Sequence, residues 1–197
     1  MIKINMEHVD KRAAYGLLTS SVVPRPIALV TTISEDGIVN IAPFSYFNVV
    51  TASPARLSIV IGKKMGSLKD TARNVFNNRK FVVHVVTESN LVDANMSAAK
   101  LPSNQSELSV TDFTVEHSDT FEVPHLKDNP LYFECVLDQY VSFEDSDMII
   151  GKVSNMYVLE QLLTDGKVDV KALNPIGRLS GNSYAKLGDF ITLKRPE

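Results

Sequence analysis

Short β-branched runs punctuated by turn signals dominate this chain, and they constrain its fold more than any single motif. Residues 27–33 and 38–41 flank Ser34-Glu35-Asp36-Gly37, whose Asp-Gly step is a hairpin signal because both residues tolerate positive φ. Residues 57–61 and 81–86 are compact apolar runs suited to buried strands. In 131–141, Leu131, Phe133, Cys135 and Leu137 share one face, and Tyr132, Glu134 and Asp138 share the other. A further strand is expected over 148–159, reached through the exposed turn Glu144-Asp145-Ser146-Asp147. The apolar spacing predicts two helices. One spans about 68–78, where Leu68, Ala72 and Val75 recur at i, i+4 and i+7; the other spans about 89–100, where Leu91, Val92, Met96 and Ala99 share a side.

Strands stand before and after these helices instead of alternating with them. That order argues against a doubly wound parallel sheet and for a mainly β protein, an antiparallel barrel with peripheral helices. Residues 102–129 carry Pro102, Ser103, Asn104 and Pro124 with little periodicity, and read as a long surface excursion, a lid or a dimer arm. With no internal repeat or linker, the 197 residues are expected to form one domain over 1–197 with a sizeable core.

Several function classes fall away early. The net charge is -3, with 20 basic and 23 acidic residues well mixed, so there is no basic stripe for nucleic acid. The apolar runs are far shorter than the ~20 residues that span a bilayer. No basic segment precedes an apolar one at the start, so no signal peptide is read and a cytoplasmic location is expected. One cysteine excludes an intrachain disulfide and a cysteine-rich zinc site; Cys135, on an apolar strand face with no visible base, reads as a buried structural thiol. His8, His84, His117 and His125 lack metal-ligand spacing, so no metal site is expected. Gly-x-Ser-x-Gly, Walker A and Gly-x-Gly-x-x-Gly patterns are missing from the sequence. Any redox chemistry must therefore be carried by a bound organic cofactor.

Two distant segments read as halves of one pocket for such a cofactor. Ser67 followed by Asp70 has the form of a capping box opening a helix, and a helix N-terminus with Lys69 beside it favours a phosphate. The other half begins at Pro24-Arg25-Pro26-Ile27, where the prolines hold the backbone near extended geometry and present the arginine. It continues through Thr31 and Thr32 to Asn40-Ile41-Ala42-Pro43-Phe44-Ser45-Tyr46-Phe47-Asn48. There, aromatics mixed with short polar side chains and backbone amides suit the edge of a heteroaromatic ring. A late loop, Gly177-Arg178-Leu179-Ser180-Gly181-Asn182-Ser183-Tyr184, reads either as an ordinary turn or as a cover over a ligand.

Taken in this order and spacing, these segments and Lys69-Asp70-Thr71-Ala72-Arg73-Asn74 resemble the flavin reductase-like family of FMN-binding split β-barrels, which includes flavoredoxin and the small NAD(P)H:flavin oxidoreductases. The resemblance runs from about Ser20 to Lys194. It implies a six-stranded antiparallel Greek-key split barrel, a homodimer, and one FMN per subunit near the dimer interface. Carried over residue by residue, it implies that Arg25, Ser67, Lys69 and Thr71 hold the phosphate and ribityl chain. Thr31, Thr32, Ala42, Pro43, Phe44, Ser45 and Asn48 would line the ring, with Ser45 nearest its reactive atoms. The reaction implied is hydride transfer from NAD(P)H to flavin, then passage of electrons to free flavin, a metal complex or a protein, with no protein acid or base required. Two other readings stay open: an FMN-binding carrier without turnover, and a split barrel of the pyridoxine-phosphate-oxidase or haem-related kind. His84 stands where many relatives carry asparagine, which alters the local hydrogen bonding.

Overall fold

The computed structural model describes residues 1–196. An N-terminal helix, α1 (Lys11–Ser21), is capped by Asp10, whose carboxylate accepts from the Arg12 and Ala13 amides. Four strands follow: β1 (Ala28–Ile33), β2 (Val39–Phe44), β3 (Phe47–Ala52) and β4 (Ala55–Gly62). Then come α2 (Asp70–Asn78), β5 (Lys80–Val85), α3 (Leu91–Met96), β6 (Val115–Ser118) and β7 (Phe121–Leu126). Two long strands, β8 (Leu131–Ser142) and β9 (Ser146–Val158), complete the main sheet.

That sheet has seven strands in the order β2-β1-β5-β8-β9-β4-β3, and every pairing in it is antiparallel. Its edge strands, β2 and β3, are joined by only Ser45 and Tyr46, so the sheet must curl until its edges meet. Val60 N–H donating to Tyr46 O carries the β3–β4 ladder one rung into this link. Seven strands stand where the resemblance implied six, because the chain breaks at Ser45-Tyr46 and resumes as β3.

Inside the curl lie Val30, Phe44, Ile59, Ile61, Phe81, Val83, Cys135, Leu137 and Ile149, with Ala72 and Val75 of α2 packed against them. Gly151 is required there: a Cβ would sit 2.4 Å from Phe81 Cζ. A second cluster on the outer side of β1 and β2 gathers Leu29, Ile41, Val86, Ala94, Leu126 and Ile176. β1 is thus apolar on both faces, which explains its continuous hydrophobic run. The Asp36-Gly37 hairpin forms as expected, with Gly37 at φ +79°.

Three local expectations are corrected. Helix α2 begins at Asp70, because Met65 and Gly66 both take positive φ and fold Lys64 back onto Ser67 in a tight turn. Ser67 is spent in that turn, so the Ser67–Asp70 capping box does not form. The helix expected over 89–100 is helical only in Leu91–Met96, after a 3-10 turn at Glu88–Asn90. Residues 102–129 are not a bare excursion: they contain the β6–β7 hairpin, which buries Phe121, Val123 and Leu126 against the sheet.

Candidate ligand groove

Three hollows of about 330, 560 and 400 Å³ adjoin one another, and Pro43 lines all three. Residues 42–45 form the wall because β2 ends there: past the last rung, Ala28–Phe44, the chain leaves β1 and exposes its outer edge. Helix α1 lies across this edge, contributing Tyr15 to two of the hollows and Lys11 and Leu18 to one.

At one end stands the start of α2. Lys69 is its N-cap residue, yet no side chain caps the helix, and the first intrahelical bond runs from Arg73 N to Lys69 O. The amides of Asp70, Thr71 and Ala72 therefore have no intrahelical acceptors. Thr71 Oγ1 accepts from Asn40 Nδ2 at 2.9 Å, which ties the helix start to β2. Lys64, Lys69 and Lys100 line the same hollow. Unpaired amides, a helix dipole and lysines together fit a phosphate. Lys63 also reaches the groove, but its ammonium turns away: it donates to Phe143 O (2.5 Å) and Ser142 Oγ (3.0 Å) and lies 3.4 Å from Asp147.

Arg25 departs from the phosphate-holding role. The residue is 7% exposed, and its guanidinium donates to three carbonyls: Thr19 O at 2.6 Å, Val22 O at 2.7 Å and Leu179 O at 2.9 Å. Its Nε lies 3.5 Å from Ser45 Oγ. The side chain is a strut joining the end of α1, the approach to β1 and the late loop, and nearly all its donors are used.

Other candidates are likewise relocated. Thr31 and Thr32 are buried in the barrel wall; Thr31 Oγ1 donates to Pro124 O (2.6 Å), and Thr32 Oγ1 accepts from Asn74 Nδ2 (3.1 Å). Neither hydroxyl lines any of the three hollows. Asn48 is exposed on β3, opposite in alternation to the inward Phe47, and its side chain accepts from Val49 N. Ser67 lies outside the groove as well. The structure does bring Ala42, Pro43, Phe44, Ser45, Lys69 and Thr71 to one groove.

Two contributors were missed in the sequence. Helix α1 had a legible signal in its Asp10 cap. Glu107, on a 3-10 turn within the supposed excursion, had none. It is 8% exposed, accepts from Ile41 N at 2.8 Å, and borders the Lys69 hollow. Burial pushes its carboxyl above the usual range, while the Ile41 hydrogen bond pulls the other way.

His84 explains its own presence. It is fully buried; Nδ1 is 3.0 Å from Leu29 O, and Nε2 accepts from Leu126 N at 2.9 Å. The ring carries its proton on Nδ1 and pins β7 to β1. Cys135 is a buried thiol whose pKa is raised by burial and, to a lesser degree, by the neighbouring Glu134 carboxylate; its Sγ donates to Phe133 O at 3.8 Å. Among the described residues there is no metal-ligating cluster, and no helix is long and apolar enough to cross a membrane.

Fold and groove together define an antiparallel split β-barrel with a lysine-lined cleft at its seam. The chain belongs to the flavin reductase like domain family, whose model matches residues 19–171. It is 40% identical over 198 residues to YwrF of Bacillus subtilis (strain 168), covering 96% of this chain and 97% of that one. Among solved structures it is similar to nitrilotriacetate monooxygenase component B from Bacillus cereus, at 38% identity and TM-score 0.96, with 98% of each chain covered. It is also similar to the Pseudomonas fluorescens 2-nitrobenzoate 2-nitroreductase NbaA, at 32% identity and TM-score 0.90, covering 99% of this chain and 96% of that one.

Proposed function

We propose that this chain is a single-domain, cytoplasmic FMN-dependent oxidoreductase that takes reducing equivalents from NAD(P)H and delivers them to free flavin, a metal complex, a small molecule or a protein. The observation that carries this reading is the uncapped start of α2 beside Lys69, opening onto the Ala42–Ser45 wall. Lys69, the Thr71 hydroxyl and the free α2 amides would hold the phosphate. Pro43, Phe44 and Ser45 would flank the ring, and α1 would limit water on that side. When bound, the flavin supplies the two-electron chemistry; the protein supplies binding, orientation and electrostatics. The two solved relatives, one a monooxygenase component and one a nitroreductase, support an oxidoreductase whose acceptors vary between members.

A homodimer belongs to the same proposal. Val49 and Val50 on edge strand β3, Tyr140, Val141 and Phe143 near the β8–β9 turn, and Phe190, Ile191 and Leu193 near the C-terminus are exposed apolar side chains a second copy would cover. A ligand bound preferentially by the dimer must stabilise it, so sedimentation with and without FMN reads both properties. The catalytic part is tested by anaerobic titration of FMN-loaded protein with NADH and with NADPH. Stoichiometric bleaching of the flavin's visible band by at least one is expected. Bleaching by neither would leave a carrier and exclude the nicotinamide step.

A further inference from the structure

The 330 Å³ hollow has a character of its own. It lies between α1, α3 and the ribbon formed by Gly177–Arg178 and Tyr184–Ala185. Two arginines line it, Arg25 and Arg178, and its lining contains no aspartate or glutamate. They arrive together because Arg25 and Arg178 are backbone partners: Arg25 N donates to Arg178 O at 3.0 Å, and Arg178 N to Arg25 O at 2.8 Å.

The two guanidiniums differ in what they have left to give. Arg25 is nearly saturated by carbonyls. Arg178 bonds only Tyr184 Oη and Gly181 O, with its Cζ 4.5 Å above the Tyr184 ring, and no acid among the described residues pairs with it. Of its five N–H groups, at least half therefore lack a protein acceptor. Tyr184 Oη donates in turn to Asn95 Oδ1 at 2.9 Å, which holds Asn95 with its Nδ2 donors unspent at the chamber wall. The floor is apolar, from Ile27, Val86, Leu91 and Ala94.

A stacked, unpaired guanidinium with amide donors beside it, over an apolar floor, is complementary to a planar body bearing one oxyanion. The volume stands at the low end of small-molecule sites, enough for one or two rings and not for a dinucleotide. We propose that this chamber binds a small aromatic carboxylate, with Arg178 receiving the carboxylate. Pro43 and Ser45 line both this chamber and the neighbouring hollow, so a ring seated here abuts the proposed flavin wall, whereas Lys69 does not line it. The nearness of this chamber to a flavin rests on the proposed function; the binding site itself does not.

Calorimetry on flavin-free and FMN-loaded protein, with benzoate and its neutral isostere benzamide as probes, tests the site. Benzoate is expected to bind at least ~10-fold more tightly than benzamide, and Arg178→Gln to weaken benzoate ~10- to 150-fold. FMN affinity, followed by flavin fluorescence, should change less than threefold in the same variant. Asn182→Trp is the second variant: Asn182 lines the chamber from an exposed loop, so the added ring blocks entry without disturbing the core. It should abolish benzoate binding while leaving the melting temperature and FMN affinity in place. Equal affinity for the two probes, or benzoate binding that survives both substitutions, overturns the proposal. Competition between benzoate and FMN, or an Arg178→Gln protein that loses FMN or NADPH affinity instead of benzoate affinity, assigns the chamber to those ligands and overturns it too. Failure of FMN to bind at all, with benzoate binding intact, would sink the proposed function and leave this site standing.

Discussion

Replacing Arg25 by methionine separates a structural arginine from a phosphate ligand, since methionine keeps much of the buried stem and removes the donors. Wild-type Arg25 makes three hydrogen bonds of 2.6–2.9 Å to carbonyls, and one of them, Thr19 O, lies in a buried setting. A hydrogen bond to a charged group contributes about 1.5–3 kcal/mol net, and an orphaned buried carbonyl costs on the same scale. The Val22 and Leu179 carbonyls are only partly buried and recover water in the variant, so full additivity does not hold. A loss of about 2–4 kcal/mol is expected, a large share of the ~5–15 kcal/mol typical of a domain. Urea unfolding of the flavin-free protein, followed by circular dichroism, measures it as a lower midpoint at unchanged slope. An Arg25→Met protein within 0.5 kcal/mol of wild type, but with FMN affinity reduced more than ~10-fold, would refute the strut and restore Arg25 to the phosphate.

Lys69→Ala should weaken FMN ~10- to 150-fold while leaving riboflavin affinity and the melting temperature unchanged, and added salt should shrink the difference because Lys69 is exposed. His84 is held neutral by burial, with its pKa lowered from 6.5 to about 3. The unfolded chain therefore takes up a proton below pH 6.5 that the folded chain refuses, and stability falls as pH drops, by about 1.4 kcal/mol per unit. Urea midpoints at pH 7 and pH 5 should converge in wild type and His84→Asn, the variant being less stable at pH 7 but less pH-dependent; parallel profiles would contradict this. Cys135→Ser should cost about 1–3 kcal/mol through a poorly paired buried hydroxyl, with NAD(P)H-driven flavin reduction retained per folded protein.

The barrel strands were legible because their information is local. Val30, Ile59, Ile61, Phe81 and Ile149 sit in runs whose apolar residues must face a core, and Asp36-Gly37 marks its turn in two residues. The groove was legible only where one segment builds it, as at Ala42–Ser45 and at Lys69-Asp70-Thr71. What escaped depends on contacts between distant segments. Whether Thr31 and Thr32 face a ligand or a neighbouring element turns on Pro124 and Asn74, 93 and 42 residues away. Arg25 looked free because carbonyl acceptors leave no trace in side-chain identity: Thr19 O and Val22 O lie only 6 and 3 residues back, and Leu179 O lies 154 residues further on. Ser67 was misread for a nearer reason: the positive φ of non-glycine Met65 defines a turn that composition does not announce. Glu107 had no periodicity around it, and its role is set by one amide, Ile41 N–H, at an edge that only the folded sheet creates.

The central claim is that the start of α2 binds the phosphate of FMN, and titrating the flavin-free protein with FMN and with riboflavin tests it most directly. Quenching of flavin fluorescence should report about one FMN per chain, bound at least ~10-fold more tightly than riboflavin, because only FMN offers a phosphate to Lys69 and the unpaired α2 amides. Equal affinity for the two flavins would contradict the phosphate site, and binding of neither at high micromolar concentration would contradict the flavin account as a whole.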